Sequence, residues 1–181
     1  KDMKSLGMDF TPHIKSKKCL FIDVAPFSFK DFTKLTFEKI SELKAKRYVL
    51  DSISVLLATV KEFPEIINGM RYHITPKPRI RRMLFNFAKR LKEADVTTLF
   101  ISEIPNIEPR ALSRFGFEEF IADSITVLRM FEYAGAEVPR SLQVIKMRGT
   151  HHNTDIHLFE ISKRGIKVKE PEKGIVVVKE Y

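Results

Sequence analysis

Apolar residues along this chain follow two rhythms, short continuous runs and stripes spaced three or four apart, and the two alternate through the first hundred residues. The run KCLFIDV at 18–24 is rich in β-formers and ends at the turn-prone Ala25-Pro26, which predicts a buried strand. A helix is expected next. Asp31 can cap it, and Phe32, Leu35, Ile40 and Leu43 recur near helical spacing ahead of a cationic end at Lys44, Lys46 and Arg47. Tyr48-Val49-Leu50-Asp51 reads as a second strand, running straight into a helix with Ile53, Leu56, Leu57 and Val60 on one face. Residues 64–78 carry Gly69 and closely spaced prolines and predict a loop excursion. The clearest helix follows. Pro78 suits its first turn, and Ile80, Leu84, Phe87, Ala88 and Leu91 form a stripe opposite Arg81, Arg82, Lys89, Arg90 and Lys92. VTTLFISE then supplies another strand.

Strand, helix, strand, helix, loop, helix, strand is the alternation of a parallel sheet covered by helices. After residue 124 the rhythm changes. SITVLRMFEY, SLQVIKMRG, HLFEIS, GIKVKE and GIVVVKEY are short strands separated by Gly135, Pro139, Gly149, Gly165 and Gly174, which predicts antiparallel additions to the sheet. The expected class is α/β, with a mainly parallel sheet flanked by helices and antiparallel C-terminal strands, in a single domain over residues 1–181.

Composition narrows the function classes. Hydrophobic residues make up 44% and charged residues 30%, and no apolar run approaches the roughly 20 residues that cross a bilayer, so neither a membrane span nor a disordered chain is expected. The single Cys19 cannot form an intramolecular disulfide, and the opening KDMKSLGMDF lacks the apolar core of a signal peptide; both point to the cytoplasm. A formal charge of +9 admits a nucleic-acid partner, but the 32 Lys and Arg are interspersed with 23 acids and form no uninterrupted basic block. Growth at high temperature accounts for a Lys- and Glu-rich surface equally well.

Several residues carry candidate chemistry. Asp51 ends a predicted parallel strand, the edge where ligands bind in open α/β sheets, and a carboxylate there can hold a hydrated Mg²⁺; Asp51 or Ser52 can equally cap the following helix. Lys146 and Arg148 stand two apart on a predicted strand, so both side chains leave one face about 7 Å apart and can bracket a phosphate. Gly149 lets the backbone turn after them, and Thr150 and His152 add hydrogen-bond donors. Ser102 and Glu103 end the third strand, as a polar group facing a phosphate or as a strand end entering a loop. His151, His152 and His157 offer imidazoles for a metal, without a nearby cysteine or a well-spaced acid beyond Asp155. Arg79, Arg81 and Arg82 either line a DNA-facing surface or form a solvated helix face.

Four stretches taken in order resemble the KaiC family of RecA-type ATPases: RYVLDSIS, similar to the family's Walker B strand; TTLFISE; FGFEEFIADSITVLR, close to YGVEEFVSDNVVILR; and KMRGTHH, close to KLRGTSH. The likeness continues into HLFEISKRGI, where Leu158 departs from the family's proline and Lys163 stands where an acid is common. The resemblance implies a RecA-like P-loop core, ATP and Mg²⁺ as ligands, and a homo-oligomeric, hexameric ring of an archaeal, heat-adapted type. It implies Asp51 as the Mg²⁺-holding acid, Ser102 and Glu103 as a γ-phosphate sensor, and Lys146, Met147, Arg148, Thr150 and His152 as nucleotide contacts. Lys146 and Arg148 would act on the ATP of a neighbouring subunit in the manner of an arginine finger. It also assigns Glu118 and Glu119 a structural role, because the family's catalytic glutamates lie upstream. The opening KDMKSLGMDF resembles the segment that follows that pair. No phosphate-binding loop occurs in the 181 residues: the seven glycines are never closer than nine positions and no Gly-Lys dipeptide is present. An N-terminally truncated domain is expected on the non-Met start, the alternative being a non-catalytic interaction or nucleic-acid-binding module that has lost the catalytic front.

Overall fold

A computed structural model describes residues 2–24, 28–62, 78–104, 112–130 and 139–171. They fall into two compact units, Leu20–Ile121 and Lys1–Cys19 with Ala122–Tyr181.

The first of these units contains α3 (Phe29–Leu43), β1 (Arg47–Leu50), α4 (Ile53–Thr59), α5 (Pro78–Glu93), β2 (Thr97–Phe100) and the short α6 (Glu118–Ile121). β1 and β2 pair in parallel, Arg47 opposite Thr97 through Leu50 opposite Phe100. The ladder runs on past the strands, because Ile101 N–H donates to the Leu50 carbonyl at 3.0 Å and Ile53 N–H to the Ile101 carbonyl at 2.9 Å. The stripe read on the clearest helix is the one that packs: Ile80, Leu84, Phe87 and Leu91 of α5 are buried against Phe29 and Phe32 of α3 and Leu50, Ile53, Leu56 and Leu57. Phe87 is the centre of this core, with ring centroids 5.5–6.2 Å from Phe29, Phe32, Phe37, Tyr48 and Phe100. The opposite side of the strand pair is apolar and open, with the register partners Val49 and Leu99 each 58% exposed.

Two sequence expectations fail here. KCLFIDV forms no strand; Leu20, Phe21 and Ile22 are exposed and only Val24 packs against the core. Its β-forming side chains have no strand to pair with among the described residues, and β-propensity expresses itself through cross-strand neighbours. The cap of α3 is Ser28 and not Asp31: the Ser28 hydroxyl accepts from Asp31 N–H at 3.1 Å and donates to the Asp31 carboxylate at 2.6 Å. Asp31 thus sits inside the first turn, where its charge faces the helix N-terminus.

The other unit opens with two helical turns, α1 (Asp2–Ser5) and α2 (Thr11–Lys15), which periodicity did not signal because each is a turn or so long. Its body is an antiparallel meander of β3 (Ser124–Met130), β4 (Arg140–Met147), β5 (His157–Ser162) and β6 (Gly165–Val168), in the order β3-β4-β5-β6. The strands after residue 124 are antiparallel as expected, but among the described residues they form their own sheet and do not extend the parallel pair. Short connections dictate this, since each strand folds back on its predecessor. Among the described residues the parallel ladder is β1-β2 alone, so the architecture is mixed α/β with a small parallel and a larger antiparallel sheet. No helix among the described residues is long and apolar enough to cross a membrane. The expected excursion over residues 64–78, the loop IPNIEP beyond Ile104 and the strand GIVVVKEY lie outside the described residues, save for Pro78, which opens α5.

Candidate nucleotide site

Asp51 follows directly on Leu50, at the carboxyl end of β1. The peptide bond between Asp51 and Ser52 is cis. Ser52, buried and in an extended conformation, caps α4: its hydroxyl accepts from Val55 N–H at 3.1 Å. The capping role that the sequence left open at this junction falls to Ser52. Asp51 is exposed and forms no hydrogen bond or ion pair with another described residue.

Ser102 and Glu103 stand at the corresponding end of β2, so the structure brings all three residues to one edge of the parallel pair. The sequence reading missed what holds them. Ser54, 1% exposed, accepts from Glu103 N–H at 3.2 Å and ties the two strand ends together. The Ser102 hydroxyl donates to Glu118 Oε1 at 3.0 Å, while Ser113 donates to Glu118 Oε2 at 2.7 Å and Phe117 N–H to the same oxygen at 3.1 Å. Glu118 is thus a bracket fixing Ser102. Glu103 pairs with Arg114 at 2.6 Å, with both side chains about half exposed. The signal in the sequence was the serine spacing in LDSIS and LSRFGFEE, which carries meaning only once the strand ends are known to adjoin.

The second cluster lies in the other unit. Lys146 is on β4, but the strand ends at Met147 and Arg148 stands in the turn, so strand geometry alone does not align the two cations. What aligns them is the segment before β3: Lys146 Nζ donates to the Ala122 carbonyl at 2.9 Å, Arg148 N–H donates to the Asp123 carbonyl at 2.8 Å, and Arg148 Nη1 lies 3.3 Å from the Asp123 carboxylate. The Arg148 side chain remains 54% exposed. Gly149 takes φ +72°, a left-handed conformation that a side chain resists, and turns the chain toward the exposed Thr150. Gln143 donates to the Thr154 carbonyl at 2.9 Å and holds that loop back along β4. His152 Nε2 is buried without a hydrogen-bond partner among the described residues, and His157 Nδ1 lies 3.0 Å from the Lys169 carbonyl. Among the described residues no three His, Cys, Asp or Glu side chains gather as a metal-binding group.

In one unit a carboxylate stands at a parallel strand edge beside a buttressed hydroxyl, and in the other Lys146 and Arg148 of the KMRGTHH segment are anchored on Ala122 and Asp123. The chain belongs to the KaiC family of ATPases: the family model described as "ATPase: KaiC" matches residues 1–173. It is similar to the circadian clock oscillator protein KaiC of Parathermosynechococcus lividus, 26% identical over 178 residues, covering 93% of this chain and 30% of that protein. It is also similar to the circadian clock protein KaiC3 of a Synechocystis strain, 32% identical over 138 residues, covering 75% of this chain and 24% of that protein. Among solved structures it resembles the KaiC-like protein of the hyperthermophilic archaeon Pyrococcus horikoshii OT3, with a TM-score of 0.74, 31% identity, and coverage of 93% of this chain and 68% of that one. The chain spans about a third or less of the length of these curated relatives.

Proposed function

We propose that this chain supplies two parts of the ATP sites in a RecA-like ring ATPase, assembled from about six copies of the parent protein. Asp51, with Ser102 and Glu103 beside it, serves one site; Lys146, Met147, Arg148, Thr150 and His152 serve the site of a neighbouring subunit. The observation that carries this reading is the division of labour at the end of β1, where Ser52 does the capping and leaves an exposed acid at the ligand-binding edge of a parallel pair. One carboxylate is a fitting donor for Mg²⁺, which keeps most of its waters and binds protein through one or two acids together with substrate phosphates. Bound there, the ion would neutralise charge on the terminal phosphates. Asp51 would hold that ion through its waters, with the Ser102 hydroxyl, locked by Glu118, at the adjoining strand end. Lys146 and Arg148 reach the triphosphate of the adjoining copy, exchanging the Ala122 carbonyl and the Asp123 carboxylate for phosphate oxygens.

Arg148→Ala in the full-length protein tests the trans contact. Turnover is expected to fall by about 10³–10⁵ with the fold retained, and unchanged turnover would refute it. The 181 residues by themselves hold no glycine-rich phosphate loop, so as an isolated chain they are expected to bind ATP weakly; micromolar affinity would contradict the reading.

A further inference from the structure

The first turns of α5 present a surface that the ATP reading does not use. Pro78, Arg81, Arg82, Phe85, Phe120 and Ile121 line a groove of about 340 Å³, all within one unit. That volume is at the small end of ligand clefts, the scale of a single nucleotide. Phe85 is 54% exposed and Phe120 64%, and the Arg81 guanidinium lies over the Phe120 ring, 5.1 Å from its centroid. Arg79 and Arg82 are exposed beside it, and none of the three arginines pairs with a carboxylate among the described residues. No acid among the described residues lines the groove. The contrast is with the shallow groove between α3 and α5, where Lys34 and Arg90 are offset by Glu38 and Glu42 and Phe37 is covered by the Arg90 guanidinium at 4.0 Å from its centroid.

We infer that the groove at the start of α5 is a binding platform for single-stranded nucleic acid, with Arg79, Arg81 and Arg82 holding the phosphates and Phe85 and Phe120 stacking unpaired bases. Charge complementarity selects a polyanion, and large exposed rings select one with free aromatic faces; a duplex keeps its base faces stacked inside, whereas a single strand offers them. Arg81 over Phe120 holds one cation at the ring, so that phosphate and base meet their partners side by side. The inference does not depend on the ATP reading.

The test is fluorescence anisotropy of a labelled 15-residue oligothymidine with the full-length protein, without nucleotide, over about 50–200 mM salt. Binding with a Kd of about 1–100 μM that weakens as salt rises is expected. Arg82→Ala should lower the logarithmic salt slope by about 0.7. Phe85→Ala and Phe120→Ala should each weaken binding by about 5- to 100-fold with the slope unchanged. Both phenylalanines are exposed, so the variants keep the fold, which circular dichroism checks. Equal affinity of the phenylalanine variants and the parent overturns the inference, as does equal affinity for an abasic strand or a duplex of the same length. Binding of a 15-residue poly-glutamate as tight as that of the oligothymidine would assign the groove to an acidic protein and overturn it too, and so would no binding at all.

Discussion

Neighbouring residues at the end of β1 have opposite predicted sensitivities, and comparing them tests the site more sharply than either alone. In Ser52→Ala the Val55 N–H loses the hydroxyl that accepts it at 3.1 Å. Loss of an N-cap costs about 1 kcal/mol, and because Val55 is 53% exposed water can reach part of the turn, which keeps the cost near that figure. For a domain of this size that lowers the melting temperature by about 2–4 °C. Asp51→Asn removes a charge from an exposed side chain with no bond to another described residue, so stability should change by no more than about 0.5 kcal/mol. Its effect belongs to the ligand: a carboxylate that orients metal-bound water is worth about 10–100-fold in metal affinity, so the Mg²⁺ concentration giving half-maximal ATP turnover should rise by that factor. Thermal unfolding and Mg²⁺ titration of turnover on both variants of the full-length protein measure the two effects. If Asp51→Asn melts as early as Ser52→Ala while Mg²⁺ dependence stays put, Asp51 is a structural residue and the proposed site is wrong.

Other outcomes follow from single contacts. Phe87→Ala opens a cavity at the ring that touches five aromatic neighbours and should cost about 3–5 kcal/mol by urea unfolding. Gly149→Ala meets no atom within 4 Å yet must hold φ +72°, so it should destabilise by about 1–2 kcal/mol from backbone strain alone. Glu118→Ala leaves the Ser102 hydroxyl without its carboxylate, while Ser113 keeps Glu119 Oε1 at 2.8 Å, and should cost about 1–3 kcal/mol, with lowered turnover if Ser102 serves the phosphate. The Asp9 carboxyl is held down to about pKa 2 from its ordinary 3.8, first by the Thr11 hydroxyl, then by the Thr11 N–H and Lys4. A depressed carboxyl stabilises the fold above its unfolded pKa and loses that contribution as pH falls toward the folded one. The N-terminal turns should therefore loosen between about pH 4 and 2, and an Asp9 midpoint near 3.8 by NMR would contradict this.

The sequence made the α5 stripe, both parallel strands and four of the antiparallel strands readable, because each is an unbroken rhythm whose apolar side has a partner to meet. KCLFIDV shows the limit: composition alone does not supply a neighbouring strand, and the run stays exposed at Phe21. The cap at Ser28 was hidden by Asp31 three residues on, since the two form one reciprocal unit and either satisfies the rule. At the candidate site, the position of Asp51 at the end of a strand was legible from its place after an apolar run. The Glu118 bracket and the Asp123 partner were not, because both depend on which strand end lies beside which loop, 16 residues away from Ser102 and 25 from Arg148.

Arg148 is held at its root by the backbone, while its side chain stays 54% exposed. Its backbone N–H is tied to Asp123, whereas the guanidinium meets that residue's carboxylate in water, a contact worth about 1 kcal/mol at most. With the anchor in the backbone and more than half of the side chain in solvent, the guanidinium can swing about a fixed root, like a latch whose mounting never has to move.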